Sequence, residues 1–479
     1  KAGRHQRVDT CLIFCKTGIS LNNMHKMGKK IIVFLVLFYS LTIAFAGLNK
    51  PLTPETALQS YLNNGDQSFQ WEVQEKFDAG DVTLYRLIFT SQTWRTIKWK
   101  HELTVIVPKD LKYQDALLFI TGGSVKGGEP NMHKWDKGEI VSFSEVAKKN
   151  KAIVAIVWQV PNQPLYGDLT EDALISYTLH NYQKDHDLTW PLLFPMTKSA
   201  VRAMDAIQEF AEEELKTRVN EFVVSGASKR GWTTWLTGAS DKRVKAIGPM
   251  VIDVLNMPVN VDYQKKAWGD YSIQIQDYVD LGIAQQMDTP GGKDLAQMVD
   301  PYSYRKSLTM PKMIFIGTND EYWPVDAIKH YIDSIPGDNH ICYVPNAGHD
   351  LGDKKKAFAT LSAFFGMAIT DEDYADCNYS ITEKDGKITL DVRASAEDLE
   401  GVVLWSADSD DRDFRDEKWS GKNLNPKNKS GFSVEVDFPE SGFIAFYVDL
   451  KYKAPFGGDY TQSTRMYVAD SRRLLLQED

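Results

Sequence analysis

The sequence predicts an α/β fold, in which helices cover a mostly parallel central sheet. From Asp115 onward, short and wholly apolar runs alternate with segments of helical period. Strands this apolar are typical of a sheet that is buried on both faces. Their alternation with helices favours parallel strands joined by right-handed crossovers. The runs are 116–120, 152–157, 221–224, 244–252, 312–316 and 341–344.

The composition narrows the class of protein further. The chain has 479 residues, of which 43% are hydrophobic and 25% are charged, as in ordinary folded proteins. This length exceeds what one compact core usually holds, so we expect two domains. The 55 basic and 65 acidic side chains give a net charge of −10, which argues against a nucleic-acid partner bound through its phosphates.

The first 46 residues are expected to be absent from the mature chain. Met27-Gly28-Lys29-Lys30 precedes the apolar run 31–45, which ends in Ala44-Phe45-Ala46. A basic start, an apolar middle and small residues at the end are typical of a secretory signal peptide, and residues 1–26 would be an over-extended gene start. A run of about 15 residues is short for a membrane span, although an anchor helix stays open. We therefore expect a secreted or periplasmic protein without a stable membrane span.

Three segments depart from the strand–helix alternation. Residues 68–108 are rich in β-branched and aromatic residues and predict strands. Residues 257–308 interrupt the α/β region 47–376 between two strands, and we interpret them as a cap over the strand ends, with a subdomain elsewhere as the alternative. Residues 377–472 contain short alternating strands that predict a small antiparallel sandwich. This C-terminal region could bind a cell-surface partner.

Secretion would expose two cysteines to an oxidising compartment and two asparagines to glycosylation. Cys342 and Cys377 remain after signal cleavage and could form a disulfide in an oxidising compartment, with two unpaired thiols as the alternative. Asn378 and Asn428 each begin an N-x-Ser sequon and could carry glycans.

The sharpest local feature is a serine between a strand and a helix. The segment Gly226-Ala-Ser228-Lys-Arg-Gly231 follows an apolar strand and precedes a helical stretch. A serine at such an elbow is lifted above the sheet as a nucleophile, and small neighbours allow the strand and helix to approach closely. Arg230 occupies the position of the second glycine in the G-x-S-x-G pattern, and Gly231 follows it. A capping serine in a plain turn is the alternative interpretation.

The chain order supplies partners for this serine. A hydrolase of this kind needs an acid and then a histidine, each just after a later strand. Asp320 follows the run 312–316, and His349 follows the run 341–344 in a glycine-containing loop. His349 would take the proton of Ser228, and Asp320 would orient the imidazole. Asp253 is the alternative acid, and Glu321 is a weaker one.

Other residues are expected around this triad. Gly123 or Ser124, after the first buried strand, and Lys229 would offer backbone N–H groups to an oxyanion. Asn162, Gln163 and Trp232 are candidates for the substrate pocket, with loop closure and core packing as the alternatives. The sequence contains no convincing zinc spacing, phosphate loop or dinucleotide fingerprint, so we expect no metal and no cofactor.

Several longer stretches resemble one known family, the PhoPQ-activated pathogenicity-related proteins. These secreted or periplasmic α/β-hydrolase-like proteins include a secreted signalling protein of a social amoeba. The resemblance covers roughly residues 50–470, and implies an α/β-hydrolase fold with a mostly parallel sheet but no settled activity. The stretches are Phe89–Trp94, Ala116–Ser124, Val160–Leu165, Glu171–Ala173, Trp190–Lys198, Ala203–Ala206, Gly226–Trp235 and Val251–Asn256.

Two functions are therefore expected. The first is a secreted serine hydrolase, more an esterase than a peptidase, which cleaves a small-molecule or polymer-linked ester or amide through an acyl-enzyme. The second is a secreted binding or signalling protein built on a hydrolase scaffold, because a fold alone does not establish chemistry.

Overall fold

The computed structural model describes residues 52–476. The predicted signal peptide and gene-start segment, 1–46, lie outside these residues. Within these, residues 53–476 belong to one compact unit. Its helices are α1 (Pro54–Leu62), α2 (Gly138–Asn150), α3 (Glu171–Asp185), α4 (Leu193–Glu213), α5 (Lys229–Ser240), α6 (Met257–Trp268), α7 (Gln276–Asp280), α8 (Pro290–Val299) and α9 (Lys355–Thr370).

The described part of the chain contains nineteen β-strands. They are β1 (Gln70–Asp78), β2 (Val82–Trp94), β3 (Ile97–Pro108), β4 (Ala116–Ile120), β5 (Val125–Lys126), β6 (Glu129–Pro130), β7 (Ile153–Val157), β8 (Phe222–Ala227), β9 (Val244–Met250), β10 (Lys312–Gly317), β11 (Asn339–Val344), β12 (Cys377–Lys384), β13 (Lys387–Ala394), β14 (Leu399–Ser409), β15 (Ser420–Leu424), β16 (Gly431–Asp437), β17 (Phe443–Lys453), β18 (Asp459–Ser463) and β19 (Tyr467–Asp470).

The main sheet has a parallel centre and antiparallel flanks. Its strand order is β1-β2-β3-β7-β4-β8-β9-β10-β11-β18-β17-β14-β15, and β19 also pairs with β17. The six strands from β7 to β11 in this order run parallel to their neighbours. This arrangement confirms the predicted α/β class with a mostly parallel central sheet.

Helices bury both faces of this sheet, as the apolar runs predict. Along β4, Leu118 belongs to the core under α4 and α5, whereas Leu117 and Phe119 belong to the core under α2 and α9. In α4 the small and apolar residues Ala203, Ile207 and Phe210 recur on one stripe and are fully buried. Because successive side chains of a strand point to opposite faces of the sheet, each strand contributes residues to both cores.

Residues 377–470 are almost entirely β-structure. The three-stranded sheet β12-β13-β16 lies against the end of the main sheet, and the two share an apolar core that contains Leu390, Val434 and Leu450. Strand β18 pairs with β11 through Ile341 and Ser463, so the C-terminal strands extend the main sheet. The division of the chain into domains at residue 376 stays a prediction.

One possibility raised for the cysteines is wrong. Cys342 and Cys377 are both free thiols. Cys342 is buried in β11, where its thiol contacts the hydroxyl of Thr360 at 3.7 Å. The side chains of Asn378 and Asn428 are exposed, as a glycosylated asparagine requires.

The segment 257–308 consists of helices joined by short turns. It contains α6, α7 and α8, with short 3-10 turns at Ile273–Ile275, Ala284–Gln286 and Pro301–Ser307. No helix in the described part of the chain combines the length and the apolar character needed to cross a lipid bilayer.

Candidate active site

Ser228 lies at the sharp turn between β8 and α5. Its backbone has φ 60° and ψ −124°, a region that residues with a side chain rarely adopt. The turn is tight because a Cβ at Gly226 would lie 2.8 Å from the carbonyl oxygen of Arg230, and one at Gly231 would lie 2.6 Å from that of Met250. Only glycine fits at both positions, so the strand and helix hold the Ser228 hydroxyl above the sheet.

The structure brings Ser228, His349 and Asp320 together in a single hydrogen-bonded chain. His349 Nε2 lies 2.8 Å from Ser228 Oγ, and His349 Nδ1 lies 2.9 Å from one oxygen of Asp320 and 3.1 Å from the other. Donation from Nδ1 to the carboxylate leaves Nε2 free to accept the serine proton. Three segments far apart in the sequence thus meet in the arrangement that proton transfer from a serine requires.

Further contacts fix the two partners of Ser228. The His349 ring stacks on Tyr322, with 4.0 Å between ring centroids. The backbone N–H of Tyr322 donates to Asp320 at 2.8 Å, and the backbone N–H of His349 donates to Glu321 at 3.0 Å. Glu321, the weaker acid candidate, therefore holds the loop of His349 and not its ring.

Asp253, the alternative acid, has a different environment. It follows β9 and is 1% exposed. Burial, reinforced by the charges of Asp320 and Asp326, raises its pKa to about 8. A carboxyl that holds its proton at neutral pH stabilises an imidazolium poorly, and the ring of His349 bonds to Asp320 instead.

The elbow also contains a double ion pair. Arg230 donates twice to the Glu171 carboxylate, at 2.7 Å each, and Lys229 Nζ lies 2.7 Å from Asp172. Burial alone would raise the pKa of Glu171, but Arg230, together with Gln163 and Lys229, lowers it to about 2. The arginine that breaks the G-x-S-x-G pattern thus ties the start of α5 to the start of α3.

Sequence reasoning missed this pairing, although a signal for it exists. An acidic pair, Glu171-Asp172, and a basic pair, Lys229-Arg230, stand at the starts of α3 and α5. Adjacent opposite charges at two helix starts that flank one sheet could have suggested the contact.

The candidate oxyanion donors lie in the loop after β4 and at the start of α5. As the first residue of α5, Lys229 has a backbone N–H that helical hydrogen bonds leave unsatisfied. Gly122 lines the cleft beside Ser228 and His349. Gly123 has φ 144° and accepts a hydrogen bond from Gln163, and Ser124 Oγ accepts one from Asn131. The assignment of oxyanion donors stays a prediction.

The three candidate pocket residues differ in what they contact. Trp232 lines an apolar cavity that reaches Ser228, and its indole N–H donates to the carbonyl of Val299 at 2.6 Å. Asn162 donates to the Lys100 carbonyl, and Gln163 bonds to Glu171, so both amides brace their loop. Among the described residues, no group of His, Cys, Asp and Glu is arranged to hold a metal ion.

The sheet order and the elbow define an α/β-hydrolase fold. Over residues 58–415 the chain matches the model of the family described as PhoPQ-activated pathogenicity-related protein. It is also 30% identical over 431 residues to Autocrine proliferation repressor protein A of Dictyostelium discoideum, covering 83% of this chain and 86% of that protein. The chain belongs to the PhoPQ-activated pathogenicity-related family.

Solved structures with similar folds have low sequence identity to this chain. Acetyl Xylan Esterase 1 from Thermoanaerobacterium matches with a TM-score of 0.46 and 17% identity, over 67% of this chain and 95% of that one. The Glucuronoyl Esterase from Solibacter usitatus matches with a TM-score of 0.37 and 13% identity, over 66% of this chain and 91% of that one.

Proposed function

We propose that this protein is a secreted serine hydrolase that cleaves carboxylic esters through an acyl-enzyme. The observation that carries the proposal is the continuous contact from Ser228 Oγ through His349 to Asp320. A serine hydroxyl alone is a weak nucleophile at neutral pH, and a hydrogen-bonded imidazole oriented by a carboxylate activates it.

Each step of the reaction uses a named group. Ser228 Oγ attacks the ester carbonyl carbon while His349 Nε2 takes its proton, and the Lys229 N–H is aimed at the oxyanion that forms. The bond to the alcohol then breaks, and His349 returns the proton to the leaving oxygen. Water, deprotonated by His349, then attacks the acyl carbon, the bond to Ser228 Oγ breaks, and His349 returns the proton to Ser228 Oγ as the carboxylic acid leaves.

Steady-state hydrolysis of p-nitrophenyl esters tests this function. We expect turnover by the wild type, and Ser228→Ala and His349→Gln to lower kcat by at least about 10³-fold. Trp71→Phe, a change in a partly exposed residue of β1, should leave the rate unaltered. Turnover that survives unchanged in Ser228→Ala would exclude Ser228 as the nucleophile.

A second candidate function rests on the relative from Dictyostelium discoideum. The 30% identity to Autocrine proliferation repressor protein A suggests that this chain acts as a secreted signal that slows proliferation. Addition of the purified protein to growing Dictyostelium discoideum cells tests it. Equal repression by the wild type and Ser228→Ala would mean that signalling does not use the hydrolase site.

A further inference from the structure

Ser228 lies where two different cavities meet. One has a volume of about 70 Å³ and lies between α5 and the helical segment 257–308. The other, of about 600 Å³, opens beside Gly122 and His349. A hydrolase that forms an acyl-enzyme must accommodate two parts of its substrate, the acyl group and the alcohol, on either side of the serine.

The first cavity is lined almost wholly by apolar side chains. Those next to it include Ile252, Val261, Ile275, Ile283, Met287 and Val299. All six are at most 9% exposed, so an apolar group that enters gains their contacts and loses its water.

The charged groups of this cavity are already engaged with one another. Asp172 accepts from the hydroxyl of Tyr278 at 3.0 Å and lies 2.7 Å from Lys229 Nζ. A charged acyl group would therefore be buried among apolar atoms without a free counter-ion, which is costly. The indole N–H of Trp323, which also lines the cavity, has no hydrogen-bond partner among the described residues, but one neutral donor does not offset a buried charge.

The position of His349 indicates which part of the substrate occupies which cavity. As general acid it must reach the leaving oxygen of the alcohol. His349 lines the wider cleft, together with charged residues such as Asp353 and Lys354. The alcohol therefore leaves through that cleft, and the acyl group occupies the apolar cavity.

We infer that the substrates are esters of uncharged aliphatic acids longer than acetate, whose acyl chain binds in the cavity under residues 257–308. The inference rests on the proposed function and specifies its substrate class. Each methylene buried in this cavity should raise kcat/KM about threefold to fourfold until the cavity is full.

Two isoleucines in the segment 257–308 form a matched pair for a test of the acyl-binding cavity. Ile273 and Ile275 belong to the same 3-10 turn, but Ile273 is 70% exposed whereas Ile275 is 5% exposed and lines the cavity. Ala284 also lines the cavity and is 6% exposed. Ile275→Ala enlarges the cavity, Ala284→Leu fills it, and Ile273→Ala controls for changes to the turn.

The experiment measures kcat/KM for p-nitrophenyl esters from acetate to decanoate. We expect the wild type to prefer chains longer than acetate, Ala284→Leu to shift the optimum to shorter chains, and Ile275→Ala to shift it to longer ones. Ile273→Ala should keep the wild-type profile. The wild-type profile needs no variant, so it tests the inference even if Ala284→Leu does not fold.

Two results would overturn the inference, and they differ. If the wild type turns over esters through Ser228 but acetate is its best substrate, and the folded Ile275→Ala variant keeps that profile, the acyl group lies elsewhere and the proposed function stands. If the wild type hydrolyses no ester and Ser228 reacts with no alkyl fluorophosphonate, the proposed function fails and this inference fails with it.

Discussion

Ser228 occupies a backbone conformation that costs of order 1–3 kcal/mol and that the surrounding strand and helix must impose. Two neighbouring glycines and one backbone hydrogen bond impose this conformation. Gly226 and Gly231 leave no room for a side chain, and the Ser228 N–H donates to the carbonyl of Met250 at 2.9 Å. Strain at a serine that also contacts an imidazole is the combination expected of a nucleophile and not of a plain capping residue.

Replacement of Asp320 tests how the imidazole is oriented. In Asp320→Asn the amide can donate to Nδ1, which favours the tautomer that cannot accept the proton of Ser228. We expect kcat for ester hydrolysis to fall by about 10³- to 10⁴-fold. Glu321→Gln, which alters only the contact with the backbone of His349, should reduce kcat far less. Equal losses in the two variants would contradict this role of Asp320.

Asp253 should make stability depend on pH. Its pKa of about 8 in the folded protein exceeds its value of about 4 in the unfolded chain, so the folded state retains a proton that the unfolded state loses. The resulting destabilisation grows as pH rises from about 4 to about 8. Asp253→Asn should raise the Tm relative to wild type more at pH 8 than at pH 5.

The matched control is Asp288→Asn, at an exposed position in the segment 257–308. It should give the same difference from wild type at both pH values in thermal unfolding followed by circular dichroism. A Tm gain in Asp253→Asn that does not vary with pH would show that Asp253 is ionised throughout the range.

At the scale of elements, the β8–α5 unit depends on close contact with β9. A Cβ at Gly231 would lie 2.6 Å from the Met250 carbonyl oxygen and 2.9 Å from Ile252. Gly231→Ala must push α5 away from the sheet, and we expect a loss of about 1–3 kcal/mol in the free energy of unfolding, measured with urea.

A glycine in α8 provides the comparison. A Cβ at Gly291 would meet no atom within 4 Å, so Gly291→Ala should stabilise the protein by about 0.5–1 kcal/mol. If both alanine variants unfold at the wild-type urea concentration, the contact between α5 and β9 is less close than described.

Elements with strong periodicity could be predicted from the sequence, and their ends could not. The run 116–120 coincides with β4, whereas the bounds of β1, β2 and β3 within the β-rich region 68–108 could not be predicted. Apolar residues recur at helical spacing in the segment 197–215, but the helix that contains them, α4, begins earlier, at Leu193. In β3, for example, His101 bonds to Ser91 and Ser199, and Glu102 accepts from Arg86. A single sequence does not reveal such partners from distant segments.

The candidate active site, too, could be predicted only in part from the sequence. Ser228, Asp320 and His349 follow apolar runs, so their common edge of the sheet could be inferred from topology. The ion pair of Arg230 with Glu171 and the stacking of Tyr322 on His349 depend on side-chain geometry between distant segments. No periodicity encodes such contacts.

At the scale of the whole molecule, the C-terminal region is hydrogen-bonded to the loops that contain Asp320 and His349. The Asn319 amide donates to the carbonyls of Phe414, Arg415 and Glu417 at 2.7–3.2 Å. Asn346 exchanges two hydrogen bonds with the backbone of Trp419, at 2.9 and 3.0 Å. These contacts brace the residues just before Asp320 and His349, so the C-terminal strands contribute to the positions of both.

This continuity predicts a single unfolding transition. Strand β18 is hydrogen-bonded to β11, and Lys356 on α9 lies 2.6 Å from Asp449 on β17. Scanning calorimetry should give one peak whose calorimetric and van't Hoff enthalpies agree. Two resolved peaks, with the C-terminal strands melting first, would instead favour an independent domain from residue 377.

The most direct test of the proposed hydrolase is the site at which a fluorophosphonate reacts. The phosphorus should bond to Ser228 Oγ as fluoride leaves, and mass spectrometry of the digested protein should find one adduct, on the peptide that contains Ser228. Ser228→Ala should remain unlabelled. An adduct on another residue, or equal labelling of wild type and Ser228→Ala, would contradict the assignment of Ser228 as the nucleophile.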